Sequence, residues 1–259
     1  MPEFILFDVE NSVARIILNR PQVFNSMHHA MRQEILAALE TCKTDAGIRA
    51  VYISGAGRAF SAGEDLQEVA GPDGPTLNQI ISTGYNPMVA AIRSLEKPVV
   101  AAVNGVAAGA GANIALACDI TVAAVSASFT QAFSKIGLIP DSGGTWMLPR
   151  LVGLQRAAAL MMLSDKISAA DAAAMGMIWA VFPDESFAAE SLKLAETLAQ
   201  MPTIGLGLTK RALNQSFSND FFAQLAVEDA LQTVAGQTHD YREGVAAFLE
   251  KRKPVFKGE

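Results

Sequence analysis

Short apolar runs and longer helix-spaced patterns alternate along the first two thirds of the chain. Residues 4–9 and 13–18 are β-rich runs separated by Glu10-Asn11-Ser12, which predicts a hairpin. Residues 26–43 then carry Met27, Met31, Ile35, Leu36 and Leu39 at helical spacing. Two further runs, residues 50–54 ending at Gly55 and residues 99–103 after Lys97-Pro98, are apolar without alternation. Unalternating strands followed by helices predict a sheet covered on both faces, hence an α/β core. Residues 71–75, Gly-Pro-Asp-Gly-Pro, read as a loop of the kind that often lines pockets. Beyond about Asp184 the β signals stop, and residues 186–200, 205–214, 221–235 and 240–251 read as helices.

Composition narrows the picture. With 51% apolar and 18% charged residues, a chain of 259 can bury a large core and is not disordered. A net charge of -6, with no Lys/Arg cluster outside the last ten residues, argues against a nucleic-acid partner. Cys42 and Cys118 fit no metal spacing and read as buried free thiols of a cytoplasmic protein. His28, His29 and His239 also fit no metal spacing and are assigned to the surface. The start of the chain has no basic leader, and the longest apolar runs are interrupted by Asn, Gly or Asp. Neither a signal peptide nor a membrane span is expected, and the expected compartment is the cytoplasm.

Chemistry concentrates in three places. Asp141 follows Pro140 and precedes Ser142-Gly143-Gly144 within an apolar stretch. Read alone, it is either the side-chain cap of a helix starting near Gly143 or a general base raised in pKa by an apolar pocket. Two strands also run into glycine-rich turns, one through Gly55 to Gly63-Glu64-Asp65 and one through Gly105 to Gly109-Ala110-Gly111. Small residues there admit close approach of a ligand to the backbone, and a following helix aims free N–H groups at it. The second turn does not fit the dinucleotide spacing G-x-G-x-x-G. Glu64 and Asp65, being adjacent, point different ways and do not form a carboxylate pair.

Several segments, in order over nearly the whole chain, resemble the crotonase or enoyl-CoA hydratase/isomerase superfamily. They are Asn19-Arg20-Pro21 with Asn25-Ser26-Met27, the run from Ala59 to Leu66, Lys97-Pro98 with Asn104-Gly105, and Cys118-Asp119-Ile120. Ile136-Gly137-Leu138-Ile139-Pro140 with Gly143-Gly144, and the tail from Glu243-Gly244 to Lys253, complete the set. The resemblance implies a ββα spiral core over residues 1–183 and a C-terminal helical trimerisation region over 184–259. It implies an acyl-CoA substrate, no cofactor beyond the CoA that the substrate carries, and a homotrimer or dimer of trimers. It also places the oxyanion-hole donors at the amides of Glu64 and Ala110. CoA contacts fall by resemblance on Gln22, Asn25 and Ala62, with Phe248 and Lys251 reaching over from a neighbouring subunit.

Hydratases of this family use two glutamates, and the matching positions here are Asn113 and Phe133. Asn is no base at neutral pH and Phe carries no proton, so water addition by that route is disfavoured. Asp141, standing where hydratases commonly have glycine, becomes the expected acid/base of an isomerase. Further segments around Phe133, Trp146 and Trp179 are similar to the family's ring-epoxide isomerases. Phe133, Leu138 and Trp146 are the candidate walls of an acyl pocket, although each is equally well explained as core. A fatty-acid-type enoyl-CoA isomerase or hydratase, and a non-catalytic acyl-CoA-binding subunit, stay open as rivals.

Overall fold

The computed structural model describes residues 2–70 and 74–259. The chain opens on the hairpin of β1 (Ile5–Glu10) and β2 (Val13–Leu18). Asn11 and Ser12 take φ of 52° and 62°, the left-handed pair that matches the twist of a two-residue hairpin. Strands β3 (Ala50–Gly55) and β4 (Ala59–Ser61) follow, then β5 (Val99–Val103) with β6 (Val106–Ala108), and β7 (Ile120–Ala124) with β8 (Ser128–Thr130). Short strands β9 (Ile167–Ser168) and β10 (Ala180–Phe182) close the series.

These strands sort into two sheets. One runs β1-β2-β3-β5-β7-β10, parallel from β2 onward, and the other runs β4-β6-β8-β9. Each turn of the spiral therefore gives one strand to each sheet before a helix or loop carries the chain to the next turn. Strand β5 is buried at every position and β3 at every position but Gly55, as their unalternating apolar runs require. This is the crotonase ββα architecture.

The first long helix starts later than periodicity predicts, at His29–Thr44. Met27 is held in a parallel bridge to Glu64, its N–H donating to the Gly63 carbonyl at 2.7 Å, so it cannot join the helix. His28 then caps the helix through Nδ1, which accepts the Met31 amide at 3.1 Å, and its ring meets Phe4 edge-on at 4.3 Å. The surface assignment of His28 is thus corrected, because the half-buried ring is occupied as a cap.

The predicted loop at 71–75 falls mostly on residues 71–73, outside the described residues. Just after it, Thr76 and Gln79 form a reciprocal capping box on the helix Leu77–Ile80. A π-helical turn, Ile81–Tyr85, connects that helix to Asn86–Ser94.

After β10 come the helices Phe187–Ala199, Thr203–Ser216, Phe221–Ala235 and His239–Leu249. The buried pair Lys210–Asp119, at 2.7 Å, ties the second of these to the core. The tail folds back on its own chain: buried Asp240 accepts the amides of Lys257 and Gly258 at 2.7 Å each, and Arg49 donates to the Phe256 carbonyl. Cys42 and Cys118 are buried free thiols, and burial pushes both pKa values up to about 12. Among the described residues no helix is long and apolar enough to cross a membrane.

Candidate active site

The two glycine-rich strand ends meet. Gly63 has φ +89°, and a methyl group there would lie 2.9 Å from the Ala108 carbonyl oxygen and 3.2 Å from the Ala110 amide nitrogen. The Glu64 and Ala110 segments therefore pack backbone against backbone, and only glycine at position 63 permits it. Bridging to Met27 uses the Gly63 carbonyl and the Asp65 amide, which turns the Glu64 amide the other way. Ala110 opens the buried helix Ala110–Ala117, whose first amides have no intrahelical acceptor. Among the described residues neither the Glu64 nor the Ala110 N–H is paired, the arrangement two converging donors need.

Asp141 reaches the site from the loop after Pro140. The helix that follows, Gly144–Val152, starts without any side-chain cap, so Asp141 does not cap it. Its main-chain carbonyl instead accepts the Gly144 amide at 2.8 Å, and Oδ1 accepts the Ser142 hydroxyl at 2.9 Å. Oδ2 has no hydrogen-bond partner among the described residues. Burial, opposed in part by the Ser142 hydroxyl, raises the Asp141 pKa above the ordinary aspartate range. The residue lines a cavity of about 340 Å³ with Leu77, Ile81, Leu138, Ile139 and Pro140. An apolar cavity with one half-desolvated carboxylate at its wall suits proton transfer to a carbon acid.

The other expected site residues fall in several places. Leu138 is on the wall of the Asp141 cavity. Phe133 is buried behind the Gly109–Ala110 turn, its ring tip 3.9 Å from where a Gly109 methyl would sit. Trp146 does not line the Asp141 cavity: 39% exposed, it meets Phe217 edge-on at 4.8 Å and carries the Arg150 guanidinium at 4.3 Å. Trp146 lies on the helix Gly144–Val152 whereas Asp141 lies in the loop before it, and on that helix Trp146 faces Phe217 and Arg150. Gln22 and Ala62 are exposed near the Phe24 turn, the Ala62 amide donating to the Phe24 carbonyl. Asn25 is fully buried, and its side chain is spent on the Arg20 amide and the Ala56 and Ala59 carbonyls. Its side chain therefore braces the loop and is not free to hold CoA. Phe248 and Lys251 lie exposed at the end of the last helix.

Sequence reasoning missed Arg32. Its side chain is 1% exposed and donates to Glu64 at 2.6 Å and Glu68 at 3.1 Å, while the Tyr85 hydroxyl donates to the same Glu64 oxygen at 2.6 Å. Burial raises the Glu64 pKa, against the pull of Tyr85 and Arg32. The available signal was a charge on the apolar stripe of its helix, at the spacing of His28, Ile35 and Leu39. Asp65, by contrast, pairs with Arg20 at 2.8 Å, so the adjacent carboxylates do diverge.

Comparison with known proteins gives the family. The enoyl-CoA hydratase/isomerase family model matches residues 8–259. The chain belongs to this family. It is an enzyme of the crotonase type, a class that acts on acyl-CoA. It is 48% identical to the 1,2-epoxyphenylacetyl-CoA isomerase of Escherichia coli strain K12, with all of both chains covered. It is also 47% identical to a Rhodobacter capsulatus protein named as a probable enoyl-CoA hydratase, over 98% of each chain. Among solved structures it is similar to the enoyl-CoA hydratase of Bacillus anthracis, at TM-score 0.93 and 35% identity over 99% of this chain and 100% of that one. The two relatives' names differ in reaction, so the choice within the family rests on the site's own residues.

Proposed function

We propose that this family member is an acyl-CoA isomerase that works through a thioester enolate, with Asp141 as its acid/base. The observation that carries the reading is a single carboxylate of raised pKa on a mostly apolar cavity, without a second acid at Asn113 or Phe133; the unpaired Glu64 and Ala110 amides are the oxyanion donors this reading requires. Asp141 removes a proton α to the thioester carbonyl. The Glu64 and Ala110 amides stabilise the oxyanion, and such donors are worth several kcal/mol because they are rigid and preorganised. Electron density then returns at the γ carbon, which takes the proton from Asp141; with a ring epoxide, the bond between the two oxygen-bearing ring carbons breaks to give the seven-membered oxepin, and Asp141 returns its proton to a ring carbon. Similarity to the Escherichia coli isomerase favours 1,2-epoxyphenylacetyl-CoA as the substrate, giving oxepin-CoA. Such chemistry requires no cofactor besides the substrate's own CoA.

The CoA would run past Gln22 and Ala62, with the tail residues Phe248 and Lys251 of a second copy closing over it in a homotrimer or dimer of trimers. The exposed apolar faces of the C-terminal helices support that assembly.

The test is to incubate wild type and Asp141→Asn with 3-enoyl-CoA and with the ring epoxide in deuterated buffer. Conjugated product is followed by absorbance and label by mass spectrometry. Wild type should isomerise and incorporate label, and the folded variant should do neither, with a loss of about 10³-fold. Retained activity in the variant would remove Asp141 from the mechanism, and hydration of crotonyl-CoA would restore the hydratase reading.

A further inference from the structure

We infer that Asn113, oriented by Gln131, is the positioning residue that sets the direction of the Asp141 carboxylate. This rests on Asp141 being the acid/base. Asn113 is the single polar residue in the apolar helix Ala110–Ala117 and is 1% exposed. A buried amide is costly unless bonded, and here both of its ends are used. Nδ2 donates to the Asp141 main-chain carbonyl at 2.9 Å, and Oδ1 accepts Nε2 of Gln131 at 2.7 Å. The orientation of both amides follows from the far end: a carbonyl at Asp141 demands the Asn113 NH2, which leaves its oxygen to demand the Gln131 NH2. Gln131 is 4% exposed, and its own oxygen is left buried without a partner. An apolar residue at 131 would not carry that cost, so the Gln131 amide is retained at a loss that its bond to Asn113 must justify.

The bond acts on a turn that would not hold its shape alone. Ser142 and Gly143 are both left-handed, with φ of 51° and 76°, and a non-glycine residue there is strained. At its start, the Asp141 carbonyl accepts both Asn113 Nδ2 and the Gly144 amide. Its two lone pairs are thus engaged and the peptide plane after Asp141 is pinned, which fixes the Cα from which the side chain leaves and the Ser142 whose hydroxyl holds Oδ1. Gly144 is part of the device, because a methyl there would lie 2.3 Å from Asn113 Nδ2. The position that holds a water-handling glutamate in hydratases thus serves here as a strut behind the base. Misplacing a reacting group by about 1 Å can cost on the order of 10²-fold in rate, so the strut acts on kcat more than on binding.

The test uses the full chain with 3-enoyl-CoA. Asn113→Leu keeps the branched shape and removes both bonds; Gln131→Met keeps the Asn113 bond to Asp141 but frees the amide to swing. Asn113→Leu should lower kcat about 10- to 100-fold with KM within about twofold. Gln131→Met should lower kcat less, and the double variant should match Asn113→Leu alone, since both act through one bond. Wild-type kcat in folded Asn113→Leu would overturn the strut, as would full additivity in the double variant. If Asn113→Leu does not fold, Gln131→Met decides: unchanged kcat or a rise confined to KM overturns the proposal. Asp141→Asn run in parallel separates the two ideas. An inert Asp141→Asn beside a fully active Asn113→Leu sinks only the strut, whereas an active Asp141→Asn sinks the base reading itself.

Discussion

The spiral core and the helix Phe221–Ala235 are both rich in apolar residues, yet they treat them in opposite ways. In β3 and β5 the apolar positions are closed off by neighbouring strands and helices of the same chain. No residue of the helix Phe221–Ala235 is buried, and Phe221 and Phe222 are 71% and 79% exposed. Exposed aromatic and aliphatic surface on this scale marks an interaction face. The contrast teaches that the core closes its apolar surface within the chain and can hold strained loops, while the C-terminal region leaves apolar surface open. Asp141 and the Gly63–Glu64 and Gly109–Ala110 turns all belong to the core. The left-handed Ser142 is tolerable because the two bonds on the Asp141 carbonyl hold its turn.

The sharpest way to break this comparison is Gly63→Ala. A methyl at φ +89° and 2.9 Å from a carbonyl oxygen must push the Glu64 and Ala110 segments apart. Turnover should fall about 10²-fold, the scale for losing one oxyanion-hole donor, while circular dichroism stays near wild type. Unchanged turnover would mean that the two loops do not form the donor pair.

Phe222→Asp attacks the other side. It should shift the assembly to a lower mass by light scattering at micromolar concentration, with the secondary structure preserved. An unchanged mass would place the contact surface elsewhere, and a loss of fold would show that this helix is not separable from the core.

The smallest effect concerns pH. Burial lifts the folded-state pKa of Asp141, so the folded protein holds that proton more tightly than the unfolded chain does. The stability this contributes is complete below the unfolded value near 3.9 and is lost as pH rises through the folded value. Asp141→Asn should therefore be more stable than wild type at neutral pH, by about 1 kcal/mol, with the gap closing on acidification. Wild-type kcat/KM should have its acid limb above the ordinary aspartate range. A variant less stable than wild type at pH 7 would contradict the desolvation on which the base depends.

Much of this was legible without coordinates. Unalternating runs at 50–54 and 99–103 marked the central strands because a strand covered on both faces has no polar side to display. The hairpin and the four C-terminal helices were likewise readable, with boundaries displaced by a few residues. The helix at His29 was misplaced by three residues, since periodicity counts Met27 as helical and cannot see its bridge to Glu64. Trp146 was a candidate wall for an apolar acyl group, but it packs on Phe217 away from the Asp141 cavity. Asn25 was grouped with ligand contacts, and its side chain is consumed by the loop it braces.

What sequence alone determined is what depends on residue type and short spacing: the α/β class, the family, the glycines, and a lone carboxylate without a partner glutamate. Tertiary structure decided everything that depends on which distant atoms meet. It placed Gly63 against Ala110 across two strand ends, buried Arg32 under Glu64, and set Asn113 and Gln131 behind Asp141. The division has a physical cause. Strand and helix patterns are imposed by local backbone geometry and by burial, which neighbouring residues report. Hydrogen bonds between residues 18 or 28 positions apart are chosen by how the spiral stacks, and no local pattern encodes them.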